Sequence, residues 1–287
     1  MREYELEIED VLEDTIEVNQ TEETFPNSWR PSKPSTNATL WRYVDFTRFF
    51  SMLVQKQIWL PQITQFDDPF EGVWSNKRLT AFEEEIPSPE GQDYEPPKGQ
   101  TNFSKTSYAS CWHKNENQSA ALWELYGISN QSVAIKTDFG SLISAVDLSG
   151  YMDYSFGCVE YLDYSNDDMP KGPYSPVFHK RKSFQHEQEF RLAVLEPKLI
   201  PRVRQKIEQN KHILELADGV DMFQLAIENM PPGINLDINV DQLINEVYIH
   251  PETDGWVVKT IQELITTCGY SFTLQKSDLY TNPEELR

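Results

Sequence analysis

The sequence predicts an α+β domain with a mixed or antiparallel central sheet and short flanking helices. Three observations predict it. Short apolar or alternating runs recur along the chain as strands, helical spacing appears only in brief stretches between them, and the two do not alternate regularly enough for a doubly wound sheet. There is no internal repeat at solenoid periods.

The first strand is Leu40-Trp41-Arg42-Tyr43-Val44, with Arg42 pointing away from its apolar neighbours. Apolar residues at 46, 49, 50, 53 and 54 then have helix spacing, and Ile58-Trp59-Leu60-Pro61 reads as a second strand. In Phe66-Asp67-Asp68-Pro69-Phe70-Glu71 the Asp-Pro step predicts a turn with two aromatics pinning it to the core. Asp67 and Asp68 there serve as helix caps or as binders of ligand hydroxyls, and capping is the more frequent use.

Residues 71–101 read as a helix giving way to a proline-rich insert. Order resumes with the strand Ser107-Tyr108-Ala109-Ser110-Cys111-Trp112. A helix over 119–126 follows, capped by Ser119 or Asn117 and stopped by Gly127. Residues 132–137 form a strand, Asp138 caps a helix holding Leu142, Ile143 and Val146, and 158–161 form another strand. Residues 176–185 are expected to hold a helix leading into a central strand from Glu187. Beyond Pro197, residues 202–216 have helical spacing and a strand is expected within 219–240. Leu243 to Pro251 contains a strand, 256–267 a helix stopped by Gly269, and 271–274 a closing strand.

At 287 residues with 39% apolar and 12% aromatic content, the chain is long enough for one substantial core. We divide it into an acidic N-terminal arm and linker, 1–39, and a single domain, 40–287. The arm is the segment expected to meet any protein partner. A net charge of −21 argues against a general nucleic-acid surface, since phosphate affinity comes from Lys and Arg. Three widely spaced cysteines, Cys111, Cys158 and Cys268, suggest neither a disulfide framework nor a zinc site, so a reducing cytoplasm is expected. No apolar run approaches a membrane span, and the acidic N-terminus does not read as a secretory signal.

The most informative stretch is 178–196. From Glu187 the alternation puts Glu187, Glu189 and Arg191 on one strand face and Phe190, Leu192 and Val194 on the other. Three ionisable groups on a half-buried strand must be paired or functional. A plain ion pair with Arg191 and a catalytic carboxylate are both compatible with that pattern. The dense cationic run His179-Lys180-Arg181-Lys182 lies just upstream, placed to meet those carboxylates or an anionic ligand.

Several ordered motifs resemble a bacterial and phage family known as domain of unknown function 2971. They are Leu40-Trp41-Arg42-Tyr43, Phe66-Asp67-Asp68-Pro69-Phe70, Ser110-Cys111-Trp112, Leu122-Trp123-Glu124-Leu125-Tyr126-Gly127, Glu187-Gln188-Glu189-Phe190-Arg191, and Val247-Tyr248-Ile249-His250-Pro251 with a late Ser277. The resemblance spans about 40–280, with Phe184 where members typically carry Trp. A second resemblance is to the Arg-Ser-Glu class of ADP-ribosyltransferases, through Arg42 on a first strand, Ser110 on a middle strand and Glu189 on a later one. The middle motif here is Tyr108-Ala109-Ser110 rather than Ser-Thr-Ser.

That second resemblance implies an ADP-ribosyltransferase-like fold and an NAD cofactor, with no metal. It makes Glu189 catalytic, Ser110 its orienting partner, and Glu187 the acid that meets the acceptor. Arg42 would hold the NAD pyrophosphate, with Tyr43, Trp112 and Arg191 lining the cofactor site. It further implies that Arg42, Ser110 and Glu189 converge on one cleft. Two other classes stay open. A metal-dependent nuclease or hydrolase would use Asp67, Asp68, Glu187 and Glu189 with Lys180 or Lys182, although the five histidines have no metal-ligand spacing. A non-catalytic sensing module would line a nucleotide pocket with Trp112, Trp123 and Tyr126. His113 and His186 read as satisfied polar residues, and Cys111 as a buried, inert thiol.

Overall fold

The computed structural model describes residues 28–85, 104–126, 130–151, 153–195, 205 and 222–281. The expectations for residues 1–27, for the proline-rich insert and for the helix over 202–216 lie outside the described residues.

The α+β expectation holds. Seven strands form the central sheet in the order β11-β10-β4-β1-β3-β8-β5. They are β1 (Thr39–Val44), β3 (Ser107–Lys114), β4 (Val133–Asp138), β5 (Tyr154–Cys158), β8 (Glu189–Leu195), β10 (Glu246–Ile249) and β11 (Thr273–Lys276). All pairings are antiparallel except the parallel edge pair β10–β11. Two ribbons lie outside it: β2 (Gln57–Pro61) with β9 (Gly233–Asp237), and β6 (Glu160–Leu162) parallel to β7 (His179–Arg181).

The helices are short. They are α1 (Phe46–Gln55), α2 (Asn76–Glu85), α3 (Ala120–Tyr126), α4 (Phe139–Ala145), α5 (Ser175–Phe178), α6 (Met222–Glu228), α7 (Val240–Leu243) and α8 (Gly255–Thr267). Local chemistry fixes their ends. Asp45 caps α1 by accepting from Arg48 N at 2.9 Å, and Asp138 caps α4 through Ser141 N at 2.8 Å. Gly269, at φ 86°, supplies the left-handed step that stops α8, as the sequence predicts.

One face of the sheet carries the main apolar core. Leu40, Trp112, Ile135, Phe190 and Leu192 pack there under Phe49 and Leu53 of α1, Leu142 of α4, Ile261 and Ile265 of α8, and the β2–β9 ribbon. The other face carries two smaller clusters. One is Ile63, Ala109, Tyr174, Val177, Phe178, Ala193 and Leu195; the other is Trp41, Tyr43, Leu122, Trp123 and Ala134. The strand positions between them are filled by polar groups, and that is where the candidate site lies.

Three local expectations differ in the structure. The helix expected over 176–185 is only the single turn α5. It is followed by β7 and then a 3-10 helix, Lys182–Glu187. The central strand begins at Glu189 rather than Glu187, because Gln188 adopts the left-handed conformation, φ 41° and ψ 51°, and breaks the alternation. The segment 28–38, read as linker, is laid against the sheet: Cys158 N donates to Ser32 O at 2.8 Å and Gly140 N to Thr36 O at 2.7 Å.

Candidate functional site

Strand register decides which side chains can meet. In the β3–β8 pair Cys111 faces Arg191 and His113 faces Glu189, while Ser110 faces Leu192 and Trp112 faces Phe190. Directly paired residues project to the same side of a sheet. Cys111, His113, Glu189 and Arg191 therefore share one face; Ser110 and Trp112 share the other. Pairing of Trp41 with His113 puts Trp41 and Tyr43 on the face of the carboxylates and Arg42 on the opposite one.

On the carboxylate face the centre is Arg191, fully buried. Its Nε donates to Glu189 Oε1 at 2.8 Å. Nη1 donates to Glu71 Oε2 at 2.9 Å and Val177 O at 2.5 Å, and Nη2 to Glu71 Oε1 and Glu189 Oε2, both at 2.9 Å. A guanidinium has five N–H hydrogens, so all are engaged. Lys180 closes the cluster from β7, with its Nζ 2.6 Å from Glu187 Oε2, 3.2 Å from Glu71 Oε1 and 3.5 Å from Glu189 Oε2. Three carboxylates thus meet two cations, which leaves the cluster one negative charge in excess.

Glu189 and the two cations hold one another ionised. Burial pushes the Glu189 carboxyl up, yet Arg191 and Lys180 outweigh it and bring it down to about 2. Burial likewise pulls Lys180 down, but Glu189 and Glu71 hold its ammonium above the usual lysine range. The Cys111 thiol, which donates to Glu189, is pushed well up by burial and then by Glu189, so it stays a thiol.

Aromatic rings and a second ion pair wrap the cluster. The Phe66-to-Glu71 loop contributes nearly every turn: Phe66 lies 5.3 Å from the Arg191 guanidinium, Asp68 takes Arg181 in a two-point pair at 2.6 and 3.2 Å, and Phe70 sits 4.4 Å from Arg181. Asp68 also accepts from Phe70 N at 3.1 Å, so it shapes its own turn. Phe184 lies 4.6 Å from Lys180. Glu71, which the sequence reading passed over, is the counter-ion of both central cations. Its signal was indirect: a cationic run at 179–182 needing more acid than Glu187 and Glu189 supply. Gly72, at φ 70° with Ile63 and Ser104 packed where a Cβ would stand, fixes the chain just after it.

Glu187 lies at the edge of the cluster. It ends the 3-10 helix, and its Oε1 accepts from the hydroxyl of Tyr126 at 3.2 Å, at the exposed end of α3. Four bonds hold the backbone there, His113 Nδ1 to Glu187 O at 2.6 Å, Lys114 N to Gln188 O at 3.0 Å, Glu189 N to the Tyr161 hydroxyl at 2.8 Å and Val159 N to Glu189 O at 2.9 Å, and a fifth, Asn115 Nδ2 to Gln188 Oε1 at 3.0 Å, holds the Gln188 side chain. His113 must carry its proton on Nδ1 to donate to that carbonyl. Thus Glu187 and Glu189 share one cluster despite the break in alternation, because the left-handed Gln188 turns Glu187 back beneath Lys180.

The other expected site residues do not join them. Arg42 and Ser110 bond to each other across the sheet from Glu189, so the expected convergence of Arg42, Ser110 and Glu189 is absent; the β3–β8 register is the reason. Trp112 is a core residue on that same far face. Tyr43 is on the near face, but its hydroxyl accepts from Ser119 N at 2.8 Å and its ring packs edge-on to Trp123; burial pushes its hydroxyl up to about 12. Arg191 has no donor left for a diphosphate. Trp112, Trp123 and Tyr126 do not line one pocket either, since Trp112 and Trp123 belong to cores on opposite faces. Lys182 pairs with Asp167 at 2.8 Å. Among the described residues no group of three or more His, Cys, Asp or Glu is arranged to hold a metal ion.

No family model matches the chain, so the resemblance to the domain of unknown function 2971 gains no support from that quarter. No curated protein matches it. Two solved structures are similar in outline. Thermus sp. 2.9 DarT in complex with carba-NAD+ covers 85% of this chain and 96% of its own, at 8% identity and a TM-score of 0.34. Thermus sp. 2.9 DarT in complex with ADP-ribosylated ssDNA covers 86% and 98%, at the same identity and score. At that level the likeness carries no argument about the chemistry of this chain. No helix among the described residues is long and apolar enough to cross a membrane.

Proposed function

We propose that the chain is an NAD-using, ADP-ribosyltransferase-like enzyme whose chemistry takes place at Glu187 and Glu189, without Arg42 and Ser110. The observation that carries this reading is the pair of carboxylates fixed by one ammonium, Lys180, with Glu187 turned toward the exposed Tyr126. Nicotinamide in NAD is a cationic ring, and its departure leaves an oxocarbenium-like sugar. A cluster with one surplus negative charge favours both the ring and that developing cation. Glu187 meets the substrate and takes the proton of the acceptor nucleophile. Glu189, held ionised by Arg191 and Lys180, supplies fixed negative charge behind it.

The test is nicotinamide release from NAD by the purified protein, with labelled NAD followed into a lysate. Wild type is expected to release nicotinamide, and Glu187→Gln to lower the rate by roughly 10²–10⁴-fold, the usual range for loss of a general base. Absence of release, together with no rise in melting temperature on adding NAD, would reject the reading. The saturation of Arg191 favours a second one, in which the ion cluster is scaffold for a binding module without chemistry. That module would raise its melting temperature with a nucleotide while leaving NAD intact.

A further inference from the structure

Next to the carboxylate cluster lies a buried base with an unfilled acceptor. His179 precedes Lys180 on β7 and is fully buried. Its Nδ1, 2.7 Å from Ser175 O, must donate to that carbonyl, so the proton sits there and Nε2 carries a lone pair. Nε2 is shut off from solvent and has no hydrogen-bond partner among the described residues, and 3.6 Å from it stands Glu160 Oε2, a second acceptor. Two acceptors that close, with no donor between them, leave a place for one proton.

The N-terminal strap, 28–38, closes over this base. The Trp29 ring packs on the imidazole with centroids 4.4 Å apart, and Trp29 N donates to Lys171 O at 2.9 Å. Two glycines make room for the strap: a Cβ at Gly172 would stand 2.7 Å from Trp29 O, and one at Gly157 2.4 Å from Pro31. The other titratable groups nearby are turned elsewhere. Arg30 lies 5.2 Å from the Tyr174 ring, the Tyr174 hydroxyl goes to Asp153, the Tyr164 hydroxyl donates to His179 O at 2.8 Å, and Lys180 meets Glu187 and Glu71. Glu160, half-exposed on β6, is thus the charge that faces the imidazole.

We propose that His179 and Trp29 form a proton-operated latch, in which a proton taken up at Nε2 releases Trp29 and the strap segment that carries it. The imidazolium gains the Glu160 carboxylate and a cation–π contact with Trp29, but a charge buried under an indole costs more than these return. Burial accordingly outweighs Glu160 and holds His179 below the ordinary histidine value of 6.5. Departure of Trp29 lets water reach the ring while Glu160 stays beside it, so proton uptake and strap release favour each other. The closed strap keeps its full stability above 6.5 and loses it as pH falls below that value. The latch does not depend on the proposed NAD chemistry.

The test is fluorine NMR of fluorotryptophan-labelled protein from about pH 8 to about pH 5, with the Trp29 resonance assigned by its loss in Trp29→Phe. In wild type that resonance should move to a solvent-exposed position below 6.5 while that of Trp123 in the core stays in place. In His179→Gln the Trp29 resonance should hold one position throughout. Glu160→Gln removes the attraction to the imidazolium and should lower the midpoint by about half a pH unit, the size of a half-exposed ion pair. Circular dichroism checks that each variant is folded, and Glu160→Gln decides where His179→Gln is not. A wild-type Trp29 resonance that ignores pH, the wild-type response in a folded His179→Gln, or a Glu160→Gln midpoint unmoved or raised would overturn the proposal.

Discussion

Arg191 and Arg42 stand on the two strands that flank β3, and the protein surrounds them in opposite ways. Arg191 projects into a nest of carboxylates that consumes every N–H it has, and its partners share the Lys180 ammonium. Arg42, on the other side of the same sheet, stacks on an indole and touches two neutral oxygens. The first arrangement is closed around Arg191, where removing a partner orphans a buried cation, and its surplus negative charge is left at the edge, at Glu187. The second is open: among the described residues the Arg42 guanidinium meets no carboxylate. Buried charge alone does not mark a binding site; what marks it is whether the fold itself completes the charge.

The largest expected effect breaks the closed side. Glu71→Ala removes the two-point partner of Arg191 and a contact of Lys180, so unfolding in urea should show a loss of about 3–5 kcal/mol, typical of an orphaned buried ion. A loss under about 1 kcal/mol would mean that water reaches Arg191 and that the cluster is not closed.

Acid titration should show the same cluster more gently. The folded Glu189 carboxyl lies near 2, below the ordinary glutamate value of 4.5. A depressed acid contributes stability that is fully present above about 4.5 and is lost as pH falls toward 2. Midpoint denaturant concentration should therefore fall across that window in wild type, and less steeply in Glu189→Gln. Equal slopes would assign the acid sensitivity to other carboxylates.

The strands and helices around Arg42 were legible because their periodicity is local: residues 40–44, 107–112 and 256–267 follow from alternation or helix spacing. The carboxylate face was legible only in part. Glu187, Glu189 and Arg191 could be placed together, but Glu71 lies 120 positions from Arg191, and no local pattern ties a loop residue to so distant a strand. The register of β3 against β8 was also out of reach. A shift by one residue exchanges the faces of Ser110 and Cys111, which is how an ordered Arg, Ser and Glu came to lie on two sides of a sheet. The break at Gln188 was hidden for a different reason: glutamine gives no signal for a left-handed turn, and five bonds from its surroundings impose it.

That imposed turn provides the smallest and most discriminating comparison. Among the described residues two that are not glycine have positive φ, Gln188 at 41° and Lys56 at 54°, one beside the closed cluster and one at the end of α1 on the Arg42 side. Each carries a left-handed penalty of order 1 kcal/mol that glycine would relieve. Lys56→Gly should gain about 0.5–1 kcal/mol in urea unfolding, since an exposed helix terminus loses nothing else. Gln188→Gly should gain less, because it gives up the Asn115 hydrogen bond and loosens the link between Glu187 and Glu189. It should also slow nicotinamide release. Equal gains at both positions with release unchanged would mean that the strain at Gln188 is incidental, and that Glu187 needs no rigid support to sit beneath Lys180.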